Sequence, residues 1–226
     1  MLLLVTDTSG TNGTVALARA GEPDRPDAEV IETASLAGGT FSAQLVPQIA
    51  ALLQKYGLAK TDIGGFIVVS GPGSFTGLRV GLAAIKALAE ILQKPIVPVS
   101  LLEVVAVASR AQGKVAAVLD ARRGEVFFGA YDITGESAQV LREELLSRPD
   151  FLSLARESSV ATPDSALAAT ARDAGFSVFT LETPGPEMIA RFGYRKLQAG
   201  QTVSPEQLEA NYMRRSDAEM FVKSSS

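Results

Sequence analysis

Apolar runs and helix-spaced apolar stripes alternate in a regular order through the first half of the chain. Three short apolar runs predict strands, at residues 2–6, 14–19 and 30–33. Apolar residues between 45 and 56 recur on one helical face, and a strand at 66–70 precedes a second helical stripe at 77–93. A strand at 96–99 and a helix at 101–111 follow. This half therefore predicts three strands, then helix, strand, helix, strand and helix.

The second half repeats this order. Three strands are predicted, at residues 115–119, 125–131 and 139–142. Helices at 148–156, 164–174 and 187–199 then alternate with strands at 159–161 and 177–181. We therefore predict an α/β fold of two βββαβαβα subdomains with mixed sheets. The N-terminal subdomain spans 1–100, and the less regular C-terminal one spans 101–203.

A helix-start pattern lies near the end of the chain. Ser204 suits the N-cap, Pro205 suits the first helical position, and Gln207 suits the third. The pattern predicts a last helix over 204–222, which we expect to pack on the N-terminal subdomain.

The strand at 66–70 ends in a glycine-rich segment that opens the next helix. The segment reads GPGSFTGLRVG at positions 71–81. Glycines before a helix N-terminus favour anion binding, because backbone N–H groups are accessible there and the helix end is partly positive. The spacing fits neither a dinucleotide-binding loop, whose third glycine would be at Thr76, nor a P-loop, since no Gly-Lys-Ser/Thr triplet occurs. The alternative is that these glycines only allow a tight turn and close helix packing.

An aspartate closes the first strand of each half. These are Asp7, followed by Thr8 and Ser9, and Asp120. We predict a nucleotide or phosphate cleft formed by Asp7, Thr8, Ser9, Gly71, Gly73 and Asp120. The alternative is that both aspartates are turn residues whose carboxylates accept hydrogen bonds from nearby backbone N–H groups. Arg122 and Arg123 follow Asp120 and are either phosphate contacts or solvated surface charges.

Composition excludes several classes of chemistry. The 226 residues include no histidine and no cysteine, so thiolate nucleophiles and metal sites with imidazole or thiolate ligands are excluded. With 21 basic and 25 acidic residues the net charge is −4, which gives no basic footprint for nucleic acid. The first apolar run is too short for a signal sequence, and Glu103 interrupts the apolar stretch at 96–108. We expect a cytoplasmic protein with no membrane contact.

Five motifs, taken in order, resemble one protein family. They are DTS at 7–9, GPGSFTGLRVG at 71–81, PVSL at 98–101, DARRGEVF at 120–127 and YMR at 212–214. The two halves resemble the actin, sugar-kinase and Hsp70 ATPase superfamily, and within it the motifs resemble the TsaB (YeaZ) family. The resemblance implies a duplicated actin-like (ASKHA, ribonuclease H-like) fold. Two departures are Phe41, where many members have histidine, and Ala210, where they have proline.

The resemblance also implies a function. TsaB proteins are the non-catalytic subunit of the bacterial machinery that places threonylcarbamoyl on the adenosine next to the tRNA anticodon. The implied partners are the catalytic paralogue TsaD and the ATPase TsaE, with a homodimer when alone and tRNA reached only through the complex. The metal-binding His-x-x-x-His of TsaD corresponds here to Ser100 and Val104, so no catalytic residue and no metal site are expected. No intrinsic cofactor is implied, and ATP or ADP would be the ligand of the aspartate cleft.

Two first-half helices are the implied contact with TsaD or with a second copy. The candidate interface residues are Leu45, Ile49, Leu52, Val80, Ala84, Leu88 and Ile91. A charged substitution such as Leu88→Glu is expected to break association while the monomer stays folded.

Two enzyme classes are the rivals of this interpretation. An ATP-dependent small-molecule kinase would use Asp7 and Asp120 around MgATP and would turn over ATP alone, and a metal-dependent peptidase would need an all-carboxylate site.

Overall fold

The computed structural model describes residues 1–21 and 27–213, which form two compact units. The first unit combines Met1–Ser100 with Pro184–Asn211, and the second contains Leu101–Thr183 with Tyr212 and Met213. The described helices are α1 (Phe41–Lys55), α2 (Phe75–Leu92), α3 (Leu101–Ala108), α4 (Arg148–Leu154), α5 (Ser165–Asp173) and α6 (Pro186–Gln198). A 3-10 turn covers Lys60–Asp62. Within the described ranges, no helix has both the length and the apolar character needed to cross a bilayer.

The first unit is built on a mixed sheet. Its described strands are β1 (Leu2–Asp7), β2 (Gly13–Arg19), β3 (Glu29–Leu36), β4 (Ile63–Gly71) and β5 (Ile96–Ser100). They lie in the order β3-β2-β1-β4-β5. The first three strands are antiparallel neighbours, whereas β4 runs parallel to both β1 and β5.

Helices cover both faces of this sheet. Leu4, Phe66 and Val68 pack against Leu45 of α1 and Leu78 of α2 in one continuous core. Side chains alternate along a strand, so Gly65 and Ile67 belong to the opposite face, where α6 packs. A Cβ on Gly193 of α6 would lie 2.5 Å from Ile67 Cγ2, so this glycine lets the helix approach the sheet closely.

The second unit repeats the same sheet. Its described strands are β6 (Gly113–Arg122), β7 (Glu125–Thr134), β8 (Ser137–Ser147), β9 (Ser159–Thr162) and β10 (Val178–Thr180), in the order β8-β7-β6-β9-β10. The antiparallel and parallel pairings match those of the first sheet position by position. Helix α3 packs on one face and α4 and α5 on the other. The duplicated βββαβαβα fold with mixed sheets is therefore confirmed.

The third helix of each sequence half packs on the sheet that the other half builds. Helix α3 follows β5 along the chain but contacts β6 and β7, while α6 follows β10 but contacts β3, β1 and β5. Residues 184–203, which the sequence analysis grouped with the C-terminal subdomain 101–203, thus lie in the first unit. The reason is that α6 packs on the sheet of the first unit, with Gly193 against Ile67 and Leu197 against Gly65.

The capping pattern at Ser204 is present, but it opens only a turn in the described residues. Gln207 N donates to Ser204 Oγ (3.4 Å) and Ser204 N donates to Gln207 Oε1 (3.1 Å), as in a capping box. The chain then leaves the helical path, because Leu208 is buried in the first core and Asn211 N donates to Ser70 O (2.8 Å). No helix follows as far as Met213. The rest of the predicted helix 204–222 lies outside the described residues.

Candidate functional site

The turn after β1 uses its aspartate to hold its own backbone. Asp7 Oδ1 accepts hydrogen bonds from Ser9 N (2.8 Å) and from Ser9 Oγ (2.6 Å). This is the local side-chain to backbone pattern that favours Asp in turns. Thr8 and Ser9 are both buried. One oxygen of the Asp7 carboxylate is therefore engaged by the turn itself.

Burial changes the acidity of this carboxyl. Desolvation raises the pKa of Asp7 above its usual value, and the two hydrogen bonds from Ser9 offset part of the rise. A raised pKa means that the folded protein holds the proton more tightly than the unfolded chain. Ionised Asp7 therefore opposes folding at neutral pH.

The glycine-rich segment packs directly on this turn. A Cβ on Gly73 would lie 2.3 Å from Ser9 O, and one on Gly77 would lie 2.1 Å from Thr8 O. One helical turn further, a Cβ on Gly81 would lie 2.3 Å from Thr8 Oγ1. Three glycines at four-residue spacing thus form one side-chain-free face along the start of α2. Their positions are explained by contact with the turn at residues 7–9.

Backbone groups of the loop at 71–77 also form hydrogen bonds and close contacts within the first unit. Ser74 N donates to Ser9 O (2.7 Å), and Ser74 Oγ caps α2 by accepting from Gly77 N (3.3 Å). Gly71 has a φ of 142°, which L side chains rarely adopt, and a Cβ there would lie 2.8 Å from Asn211 O. The loop is therefore bound on one side by the first turn and on the other by the C-terminal segment.

Five of the predicted cleft residues lie together in the first unit: Asp7, Thr8, Ser9, Gly71 and Gly73. Their contacts match the packing and turn alternatives raised by the sequence. Phosphate binding by these residues stays a prediction. Phe41 is a buried side chain at the start of α1 whose ring lies beside Gly13 and Gly77.

Asp120 belongs to the second unit, where it lies at the end of β6. Its Oδ1 is 3.5 Å from Arg148 Nη2, an ion pair that both partners make from partly exposed positions. Arg148 N also donates to Gly124 O (3.2 Å), which ties the start of α4 to the β6–β7 turn. The sequence analysis did not single out Arg148, because its pairing with Asp120 depends on the return of β8 beside β7.

Helices α1 and α2 each expose apolar side chains. Val46 of α1 is 56% exposed and Ile91 of α2 is 69% exposed. Small exposed residues continue these two stripes, which together we call the α1–α2 surface: Ala43, Val46, Pro47, Ala50, Ala83, Ala87 and Ile91. Exposed apolar patches mark sites of protein association.

The structure divides the predicted interface residues into two groups. Leu45, Ile49 and Leu52 are buried in the first core, so they are structural and cannot meet a partner. Val80, Ala84 and Leu88 are half-buried and pack against that core, which leaves Ile91 as the exposed candidate. The sequence missed Val46, although the small residues four positions apart around it in α1 were a usable signal.

Comparison with known proteins places the chain in a family. The family model described as TsaD: tRNA N6-adenosine threonylcarbamoyltransferase matches residues 34–194. The tRNA threonylcarbamoyladenosine biosynthesis protein TsaB of Bacillus subtilis strain 168 is 33% identical over 159 residues, which are 70% of this chain and 67% of that relative. The chain belongs to the TsaB family. The TsaB protein of Escherichia coli K12 is 29% identical over 183 residues, covering 76% of this chain and 79% of the relative.

Solved structures agree with membership of the TsaB family. A protein with similarity to the peptidase YeaZ from Pseudomonas aeruginosa has a TM-score of 0.69 and 26% identity, and covers 94% of this chain and 99% of its own. YeaZ from Pseudomonas aeruginosa has a TM-score of 0.68 and 23% identity, and covers 93% and 100%. The second likeness shows the shared fold alone.

The TsaB chain offers a poor ligand set for a transition metal. It has no histidine or cysteine in its full sequence. Within the described ranges, no group of three carboxylate residues comes together that could hold an ion. Ser100, which ends β5, and Val104, a buried apolar residue of α3, provide no imidazole or carboxylate ligand either.

The raised pKa of Asp7 makes a testable prediction for this TsaB protein. Stability is expected to fall as the pH rises from 3.8, the ordinary pKa, through the raised value of the folded state. Asp7→Asn keeps an oxygen acceptor for Ser9 but cannot ionise. We expect the variant to be more stable than the parent near pH 7 and to lose this pH dependence, measured by urea unfolding between about pH 4 and 8. A variant that is less stable at pH 7 would show that the ionised carboxylate supports the turn.

Proposed function

We propose that this TsaB-family chain is a non-catalytic subunit that pairs with the catalytic paralogue TsaD and with the ATPase TsaE in the cytoplasm. The relatives from Bacillus subtilis and Escherichia coli are tRNA threonylcarbamoyladenosine biosynthesis proteins, and family membership gives this chain the same process. Its part in that process is to hold the catalytic subunit in a productive conformation through interface contacts. When alone, the chain forms a homodimer through the same surface.

One observation carries the non-catalytic role. The loop at 71–77 is closed against the first turn, since Gly73 and Gly77 leave no room for even a methyl group beside Ser9 O and Thr8 O. Ser74 N already donates to Ser9 O, and Gly77 N to the Ser74 cap. Amides that bind phosphate need to be free and aimed at the ligand. These contacts support a structural use of the loop over a kinase site.

The partner contact is assigned to the α1–α2 surface. Val46 and Ile91 supply large apolar side chains, and the alanines around them allow the backbones of a partner helix to approach closely. Apolar anchors surrounded by small residues suit helix-on-helix association. The same patch serves a homodimer or a paralogue of the same fold, because both would present matching helices.

The test is threonylcarbamoyl transfer to tRNA in a reconstituted mixture. The mixture contains the adenylate-forming enzyme, TsaD and TsaE, with and without this chain, and the modified nucleoside is quantified by mass spectrometry after digestion of the tRNA. Product that depends on the chain, together with no ATP turnover by the chain alone, is the expected result. Equal product in both mixtures would remove the proposal. ATP-dependent phosphate transfer by the isolated chain would establish the kinase alternative instead.

A further inference from the structure

The β6–β7 turn of the second unit has an unusual backbone for its sequence. Arg122 has a φ of 62°, Arg123 of 55° and Gly124 of 79°. Glycine adopts this left-handed region freely, but arginine does so rarely, because its Cβ approaches the carbonyl oxygen. Two consecutive arginines hold positions where glycine or asparagine would fit the turn better. Strained residues of this kind tend to occur where the side chain has a function.

The two side chains are exposed cations. Both residues lie on the surface of the turn, and neither has an ion-pair partner among residues 1–21 and 27–213. Other arginines of the chain do have one: Arg142 pairs with Glu144, and Arg195 with Asp27. The Arg122 and Arg123 guanidinium groups thus lie at a hairpin tip, where no carboxylate of the described residues forms an ion pair with them.

A third guanidinium lies beside the turn. Arg148 N donates to Gly124 O (3.2 Å), and Arg148 Nη2 is 3.5 Å from Asp120 Oδ1. Arg148 Nε is shielded from solvent and has no hydrogen-bond partner within the described part of the chain. Asp120 offsets one of the three positive charges, and Glu125, which follows the turn, is half-buried. Arg122 and Arg123 thus place two exposed positive charges at the hairpin tip of a chain whose net charge is −4.

We propose that Arg122 and Arg123, supported by Arg148, contact the phosphate backbone of RNA. Guanidinium groups bind phosphate oxygens through two parallel hydrogen bonds, and such contacts position a protein on nucleic acid without reading its sequence. An exposed hairpin tip fits an extended polyanion lying across it, whereas a small anion needs an enclosing pocket. The inference rests on the proposed function, which supplies tRNA as the RNA. It differs from the sequence prediction that tRNA is reached only through the partners.

The test compares variants that remove strain and charge together. Arg122→Gly with Arg123→Gly relieves the left-handed backbone, so the double variant is expected to melt at the same temperature as the parent or higher. The matched control is Arg110→Gly. Arg110 is also an exposed arginine with a positive φ of 57°, but it precedes the opposite end of β6. A ten-residue strand separates the two sites by roughly 30 Å.

Binding of fluorescently labelled tRNA to the parent chain and to each variant is measured by fluorescence anisotropy over salt concentrations from about 0.1 to 1 M. Each phosphate contact contributes about 0.7 to the slope of log affinity against log salt for single strands. The double glycine variant is expected to lose roughly 1.4 of this slope and to bind roughly 20-fold more weakly at 0.1 M salt. Arg122→Lys with Arg123→Lys, which keeps the charge, is expected to keep most of the slope, and Arg110→Gly to keep all of it.

Three outcomes would overturn the inference. These are an unchanged slope in the double glycine variant, an equal loss in Arg110→Gly, or competition by tripolyphosphate at the same concentration of phosphate groups as RNA. The last would point to a small anion as the ligand. Transfer assays on the same proteins separate the two proposals: if the parent chain supports modification but the turn variants bind tRNA normally, the inference fails and the proposed function stands.

Discussion

Gly77→Ala is expected to destabilise the first unit severely. The new methyl group would lie 2.1 Å from Thr8 O and 3.2 Å from the Phe41 ring, and the obstructing oxygen belongs to backbone that is held by β1 and its turn. Alanine is the better helix former by about 1 kcal/mol, so the clash acts against a small intrinsic gain. We expect a net loss of roughly 2 to 4 kcal/mol in the free energy of unfolding. Urea denaturation followed by circular dichroism measures it.

A suppressor pair separates a backbone clash from a side-chain clash on the same helix face. Gly81→Ala would place its methyl group 2.3 Å from Thr8 Oγ1, an atom that Thr8→Ala removes. Thr8→Ala is therefore expected to recover part of the stability lost in Gly81→Ala, with a coupling free energy of about 1 kcal/mol or more. It is expected to recover nothing in Gly77→Ala, where the obstruction is the main-chain oxygen.

Ala169→Val is the matched control for added volume. It adds two methyl groups at an exposed helical position in α5, outside the α1–α2 surface, where the effect on stability should stay within about 0.5 kcal/mol. If Gly77→Ala were as stable as Ala169→Val, the glycine face would have to be open space. Phosphate binding would then again be the favoured interpretation of the loop.

Ile91→Glu is expected to abolish association while the monomer keeps its stability. Ile91 is 69% exposed, so a carboxylate there costs the folded monomer little, but within an apolar contact it would be buried without a partner. A loss of about 2 kcal/mol or more, at least 30-fold in affinity, is the usual size for an anchor residue. Sedimentation velocity of the chain alone and capture of TsaD by the tagged chain measure the effect.

The Leu88→Glu variant suggested by the sequence is less suitable for this test. Leu88 is half-buried and packs against the first core, so a charge there would destabilise the monomer as well. Val140→Glu is the better control, since Val140 is 51% exposed on β8 of the second unit and is not part of the α1–α2 surface. Normal association of Ile91→Glu, or equal loss in Val140→Glu, would show that the contact lies elsewhere.

Periodicity was enough to predict the order of strands and helices, because each half buries its elements in the same layers. Strands read as short apolar runs, since both faces of each sheet are covered by helices. The glycine segment was placed correctly between a strand and a helix. Its role could not be decided from the sequence, because the sequence does not show that Thr8 and Ser9 contact the segment. That proximity comes from β1 and β4 being parallel neighbours, with Thr6 opposite Val68.

Features that depend on distant parts of the chain could not be predicted. Leu45 and Ile91 have the same apolar character, and only the position of the sheet decides which is core and which is surface. The capping box at Ser204 is real, yet burial of Leu208 and the bond from Asn211 N to Ser70 O override the helical tendency in the described residues. Local sequence prefers a conformation weakly, and tertiary burial decides.

The crossing of the third helices has a consequence for synthesis on the ribosome. A chain emerging from its N-terminus exposes the first sheet for as long as α6 has not been made, because the face around Gly65 and Ile67 is covered by Gly193 and Leu197. Residues 101–183, which build the other unit, are translated in between. Residues 1–100 therefore keep an apolar sheet face uncovered while residues 101–183 are translated. They complete their folding only after those later residues have left the exit tunnel.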